Sequence, residues 1–106
     1  MAAKMAGALP KGERVNGLVH IAGDLVSDPW DIRVAVIFFD VQKVTKDMDS
    51  GEQVPTIRVR RIEVIDEPSD GNRLRQVLRR AWERRTGEDV LPIELEDELN
   101  SAFGPE

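Results

Sequence analysis

The side chains that usually perform acid–base and nucleophilic chemistry are nearly missing from this sequence. Its 106 residues include one histidine, His20, and neither cysteine nor tyrosine. Histidine is the usual proton-transfer group near neutral pH, and cysteine supplies a thiolate nucleophile or metal ligand. No glycine-rich phosphate loop of the GxGxxG or GxxxxGK[ST] type occurs either. We therefore expect no catalytic residue, no metal site and no cofactor, and we predict that the protein is not an enzyme.

Arginine is the residue type whose enrichment could provide recognition chemistry. Residues 58–85 contain nine arginines and five acids, whereas residues 86–106 contain seven acids and no basic residue. Guanidinium groups bind carboxylates and phosphates through paired hydrogen bonds. The candidate residues for binding nucleic acid or an anionic partner are Arg58, Arg60, Arg61, Arg75, Arg79, Arg80 and Arg84.

Two interpretations of this charge segregation stay open. In the first, the acidic segment folds back on the arginine-rich segment and neutralises it, within one chain or between two chains. In the second, the arginines face nucleic acid and the acidic segment is available to another partner. The net charge of −5 favours the first interpretation, because nucleic-acid-binding domains usually have a basic excess.

Three predicted strands precede two predicted helices. Alternating apolar residues predict a first strand over Val15–Val26, a second over Ile32–Val44 and a third over Val54–Ile65. A polar hairpin loop at residues 46–52 joins the second strand to the third. Consecutive strands with short connections form an antiparallel sheet. The apolar phase of the third strand changes at residues 60–61, which indicates a β-bulge.

A long helix is predicted over Ser69–Thr86, because its apolar residues recur at spacings of three and four. Either Ser69 or Asp70 is expected to cap its start, and Gly87 suits a left-handed cap at its end. A short helix is predicted over Ile93–Phe103. The predicted fold is therefore α+β, a three-stranded antiparallel sheet packed by one long and one short C-terminal helix. The arginines expected on the flanks and outer face of the long helix are Arg75, Arg79, Arg80 and Arg84.

The length of the chain suits one domain, because 106 residues are too few for two independent cores. We predict a flexible N-terminal lead-in at residues 1–12 and a single α+β domain over residues 13–106. No run of 18 apolar residues and no secretory signal pattern occurs, so we expect no contact with a membrane. The expected location is the cytoplasm.

The centre of the second predicted strand, residues 34–39, is apolar at every position. Such a run needs cover on both faces, and the predicted helices can cover only one of them. We therefore expect a homo-oligomer, with Val34, Val36, Phe38 and Phe39 as candidate contact residues. Trp30, in the turn before this strand, either plugs the end of the sheet or is an exposed aromatic contact residue.

Residues 15–65 resemble the bacterial single-stranded-DNA-binding proteins of the OB-fold type. The segment from Leu18 to Pro29 is similar to that family's opening strand, with its Gly-x-Leu and Asp-Pro turn. The segment from Lys46 to Glu52 resembles its polar hairpin, and that from Thr56 to Ile65 its third strand. The resemblance implies a partial OB-like barrel that binds single-stranded DNA. An OB barrel has five strands, of which three are predicted here.

The chain as a whole resembles small accessory proteins of actinobacteriophages. It is short, contains eleven arginines against four lysines, and ends its long predicted helix in Arg-Thr-Gly. This resemblance implies no activity, but it would place the protein in the cytoplasm of a host cell. We therefore expect an accessory protein that self-associates and binds a protein partner through its sheet and its arginine-rich and acidic surfaces. The alternative is a nucleic-acid-binding module for single-stranded DNA.

Overall fold

A computed structural model gives the structure of the chain and describes residues 2–105. The strands are β1 (Lys4–Met5), β2 (Val34–Lys46) and β3 (Gln53–Ile65). The helices are α1 (Ala22–Ser27), α2 (Gly71–Thr86) and α3 (Ile93–Phe103), and a 3-10 turn at Pro68–Asp70 leads into α2. The fold is α+β, as predicted.

The three strands form one mixed sheet in the order β1-β3-β2. β2 and β3 form a hairpin, in which the Asp47 N–H donates to the Glu52 carbonyl at 2.8 Å, so these two strands run antiparallel. β1 pairs with β3 in parallel, with Lys4 opposite Thr56. The prediction of a purely antiparallel sheet is therefore wrong. It failed because β1, the strand that pairs in parallel, lies in the N-terminal segment that was expected to be a flexible lead-in.

The strand predicted over Val15–Val26 is wrong. Turns occupy residues 13–15 and 17–21, and α1 follows them. Among the described residues, this segment joins a strand through one parallel bridge, from Asn16 to Ile62. The Asn16 side chain accepts a hydrogen bond from the Leu18 N–H at 3.0 Å and donates to the Pro10 carbonyl at 3.2 Å. Such local side-chain bonds offer the backbone an alternative to a strand ladder.

The chain divides into two compact units. The first comprises the residues up to Ser27 together with Ala35–Val64, and the second comprises Asp28–Val34 together with the residues from Ile65 onward. In the first unit the buried apolar side chains are Ile21, Val59 and Ile62, and in the second they are Leu91 and Leu99. Val59 and Ile62 lie three residues apart and are both 4% exposed, so the burial phase of β3 changes between them, as the sequence indicates.

The helices that lead to the functional surfaces start and end close to the predicted residues. α3 has the predicted bounds, and α2 begins two residues later than predicted. Gly87 has a φ of 80° and donates its N–H to the Glu83 carbonyl at 2.7 Å, which is the left-handed cap that was expected. Neither Ser69 nor Asp70 provides the predicted side-chain cap. Asp70 is itself in a helical conformation because the 3-10 turn runs directly into α2.

Candidate interaction surfaces

The apolar run Val34–Phe39 of β2, hereafter the β2 strip, is accessible on both faces of its strand. Val36 and Phe38 point to one face and are 41% and 57% exposed, whereas Ile37 and Phe39 point to the other and are 37% and 59% exposed. Val34 is half-buried. We expected a helix to cover one face of this run, but within residues 2–105 neither face of the β2 strip is buried.

The backbone of β2 is also open along one side. β2 lies at the edge of the sheet, with β3 as its neighbour on one side. In an edge strand, alternate backbone N–H and C=O groups point away from the sheet and can pair with another strand. Natural edge strands are often protected by charged side chains, by proline or by a bulge. The β2 strip contains no charged residue and no proline over its six positions.

Two of the candidate arginines on β3 are bound to a carboxylate across the hairpin. Arg58 donates to both carboxylate oxygens of Asp40, from Nε at 3.0 Å and from a terminal nitrogen at 2.8 Å. Arg60 reaches the same carboxylate at 3.3 Å. The hydrogen bond from Arg58 holds the pKa of Asp40 below its ordinary value of 3.8. Because all three side chains remain exposed, this group sets cross-strand contacts more than it adds stability.

Arg61, the third candidate on β3, is bound to neighbouring groups of the first unit. One terminal nitrogen of its guanidinium donates to the Arg14 carbonyl at 3.1 Å and to the Glu63 carboxylate at 2.9 Å. An arginine with these partners has fewer hydrogen-bond donors left for an external anion. The strand arginines are therefore held in place by their own chain.

Arg75 lies neither on a flank nor on the outer face of α2, where the sequence led us to place it. Its side chain is 1% exposed and donates to the Asn72 side-chain oxygen at 3.0 Å, the Asn100 side-chain oxygen at 3.0 Å and the Gly104 carbonyl at 2.6 Å. Its position on the helix explains the burial, since Arg75 lies three and seven residues before Leu78 and Trp82 and so belongs to the apolar stripe. Arg75 is thus a structural residue of the second unit.

The acidic segment packs against α2 through α3. Leu99 of α3 is 1% exposed, and a methyl group added to Gly71 would lie 2.8 Å from the Phe103 Cβ, so the two helices approach closely there. Arg79 of α2 pairs with Glu96 of α3 at 3.4 Å. The acidic segment thus folds back on α2 within one chain, as the first interpretation predicts, but among the described residues the neutralisation that it also predicts does not extend to the other side of α2.

The opposite side of α2 presents an exposed cationic face. Arg73, Arg80 and Arg84 are exposed and Val77 is 52% exposed. At 3.6 residues per turn these four side chains fall within about 60° of arc opposite Arg75. In the part of the chain that the structure describes, no carboxylate pairs with any of the three arginines. We call these four residues the outer arginine face.

Trp30 projects from a short turn in the second unit. Its side chain is 93% exposed, so it does not fill the end of the sheet and is accessible as a contact residue. The turn is held by Arg33, which donates to the Asp28 carbonyl at 2.9 Å and to the Asp31 carbonyl at 3.2 Å. Tryptophan is among the residue types enriched in protein-binding hot spots.

Two functional features escaped the sequence reasoning. Asp40 was not singled out, although it is the acid of β2 that faces the arginines of β3, and pairing opposite charges across the predicted hairpin would have identified it. Arg73 and Val77 were not assigned to the cationic face, although a helical wheel of α2 groups them with Arg80 and Arg84. In both cases the strand or helix period, applied to charged residues as well as to apolar ones, would have identified the group.

Within residues 2–105, no three His, Cys, Asp or Glu side chains lie close enough together to hold a metal ion. Over the same residues, no helix has both the length and the apolar character needed to cross a membrane. Comparison of the chain with family models, curated proteins and solved structures finds no match, so its function must be inferred from these surfaces.

Proposed function

We propose that the protein is a non-enzymatic accessory protein that self-associates through β2 and binds a protein partner through its charged surfaces. The observation that supports self-association is the exposure of the β2 strip on both faces of an edge strand. Phe38 and Phe39 alone leave on the order of 200 Å² accessible, since an aromatic side chain offers about 150–250 Å². One of these rings is exposed on each face of the strand, so both faces of β2 offer apolar surface to a second copy.

Antiparallel pairing of β2 with β2 of a second copy would use both open features of this strand. The edge groups of the two backbones would pair across a twofold axis. With Phe38 at that axis, the two Phe38 rings would meet on one face, and Phe39 would lie opposite Ile37 of the second copy on the other. A register centred on Phe38 places Asp40 opposite Val36 of the second copy. Registers centred on Asp40 or Lys43 would place like charges directly opposite one another, which is unfavourable. Charge therefore favours pairing through the apolar half of β2.

Mass in solution tests this proposal. We expect wild-type protein to show a mass near twice 11.9 kDa by sedimentation equilibrium at high micromolar concentration. Phe38→Asp should give a monomer, because an unpaired charge would be buried in the paired sheets. The matched control is Met48→Asp, which adds the same charge to an 89% exposed apolar residue in the hairpin loop and should keep the dimer mass.

Circular dichroism of each variant establishes whether it is folded. If Phe38→Asp does not fold, Val36→Lys on the same face of β2 provides a second test, since lysine on an edge strand opposes pairing. A wild-type monomer at high micromolar concentration would contradict self-association. Equal loss of the dimer in the Met48→Asp control would show that β2 is not its site.

The exposure of Phe38 and Phe39 also favours a second candidate function, binding of single-stranded DNA. These two residues border an open depression of about 420 Å³ together with Arg60 and Arg61. Exposed aromatic side chains beside arginines can stack bases and hold phosphates. We place this function second because Asp40, which also lines the depression, and Glu63 already bind those arginines and would repel phosphate.

A further inference from the structure

The arginines of the outer arginine face make no ion pair that would stabilise the fold of the second unit among the described residues. Arg80 and Arg84 are four residues apart on a helix, where like charges destabilise the helix. Neither pairs with a carboxylate among residues 2–105, and Val77 lies exposed between Arg73 and Arg80. An exposed apolar residue flanked by three cations indicates a surface for an anionic partner.

The other side of the same helix shows which kind of anionic partner α2 accepts. There α2 packs against α3, a helix whose sequence contains Glu94, Glu96, Asp97 and Glu98. The contact combines apolar packing at Leu99 with an ion pair from Arg79 to Glu96 at 3.4 Å. α2 therefore already binds one acidic amphipathic helix by placing arginines beside an apolar stripe.

We propose that the outer arginine face of α2 binds an acidic amphipathic helix of a partner protein. The inference rests on the proposed function, in that it states the chemistry of the protein partner. A partner helix would place an apolar side chain on Val77 and carboxylates beside Arg73, Arg80 and Arg84. The sixteen residues of α2 give a surface about 24 Å long at 1.5 Å per residue, which accommodates three to four turns of a partner helix.

The charge of the second unit favours a helix over a nucleic acid as the occupant. The sequence of this unit contains seven basic and thirteen acidic residues, so its net charge is −6. A long polyanion would extend beyond the three arginines and meet those acids. A helix presents a few carboxylates at fixed spacing, and each can reach an arginine without the rest of the partner being anionic.

Binding of a labelled peptide to the full-length protein tests the proposal. The probe copies residues 89–103, which contain α3, and its binding is followed by fluorescence anisotropy at low ionic strength. We expect wild-type protein to bind it and the double variant Arg80→Glu with Arg84→Glu to bind at least about tenfold more weakly, because two attractions become repulsions. Lys4→Glu with Lys11→Glu makes the same change in net charge on exposed residues elsewhere and should leave binding within about twofold.

Two further arms distinguish the outer face from other modes of binding. A scrambled peptide of the same composition should not bind if the helical arrangement of acids is what α2 recognises. Arg79→Glu changes the side of α2 that contacts α3. Loss of binding in Arg79→Glu, with binding kept in the Arg80 and Arg84 double variant, would show that the peptide replaces α3 and would overturn the proposal.

Three other outcomes would overturn it. The first is that the wild-type protein does not bind the peptide, and the second is that the Lys4 and Lys11 control loses as much affinity as the Arg80 and Arg84 double variant. The third is that a single-stranded oligonucleotide binds more tightly than the peptide and that its binding depends on Arg80 and Arg84. The mass of each protein in solution, measured by sedimentation equilibrium, tests self-association independently of peptide binding. Peptide binding by a monomeric wild-type protein would contradict the proposed pairing of β2 and leave the outer arginine face supported.

Discussion

At the scale of the residue, Arg75 is a buried arginine that pairs with no carboxylate among residues 2–105. Its acceptors are two asparagine side chains and the carbonyl of Gly104, the residue that ends α3. The C-terminal end of a helix has a partial negative charge, so α3 supplies the countercharge through its backbone. The Nε of Arg75 is buried without a partner among the described residues, a cost that the other bonds offset.

We expect Arg75→Ala to destabilise the second unit by about 3 kcal/mol. The substitution removes a buried side chain and leaves the oxygens of Asn72, Asn100 and Gly104 without their donor. Arg84→Ala, on the outer arginine face, is the control and should change stability by less than about 0.5 kcal/mol. Urea unfolding followed by circular dichroism at 222 nm measures both. Similar midpoints for the two variants would mean that Arg75 does not hold α3.

At the scale of the element, the pattern of apolar residues predicted the long strands and helices well. β2, β3, α2 and α3 were each found within two residues of their observed bounds, because apolar runs bounded by polar turns mark the two strands and spacings of three and four mark the two helices. The segment 15–26 shows a period of two but folds into turns and α1, since Asn16 satisfies local backbone groups. Arg75 was misplaced for a similar reason. A charged side chain is expected at the surface, and its burial depends on hydrogen-bond partners that the sequence pattern does not show.

Gly71→Ala tests how closely α2 and α3 pack. Alanine is favoured over glycine in a helix by up to about 1 kcal/mol, but the added methyl would lie 2.8 Å from the Phe103 Cβ. Forcing a methyl group into a packed contact costs about 1–3 kcal/mol, so the net effect should be destabilising. Gln76→Ala, at an exposed position of α2, should be neutral or slightly stabilising. A higher unfolding midpoint for Gly71→Ala would mean that the contact with Phe103 is loose.

At the scale of the whole molecule, charge is distributed unequally between the two units. The sequence of the first unit contains eight basic and seven acidic residues, and that of the second seven and thirteen. A nucleic acid would therefore meet the sheet of the first unit, with a net charge of +1, more readily than the helices of the second. For the alternative function, we therefore expect Phe38, Phe39 and Arg60 to be the contact residues.

Binding of single-stranded DNA should accordingly be weak and salt-dependent if it occurs through the first unit. A surface that neutralises few phosphates has a shallow salt dependence, so affinity should fall by about tenfold or less between 50 and 200 mM salt. Arg60→Ala should weaken binding further, whereas Arg84→Ala in the second unit should not. Absence of binding at 50 mM salt, measured by fluorescence anisotropy of an oligothymidine, would rule out this candidate.

The two tryptophans give the protein a pair of built-in optical labels. Trp30 is 93% exposed, whereas Trp82 is half-buried, with its indole Nε1 shielded from water and Arg85 stacked 4.8 Å above its ring. Their emission spectra should differ accordingly, with the red-shifted, iodide-quenchable component arising from Trp30. Complex formation near the turn at residues 28–31 and loosening of α2 can thus be followed separately, without attaching a dye.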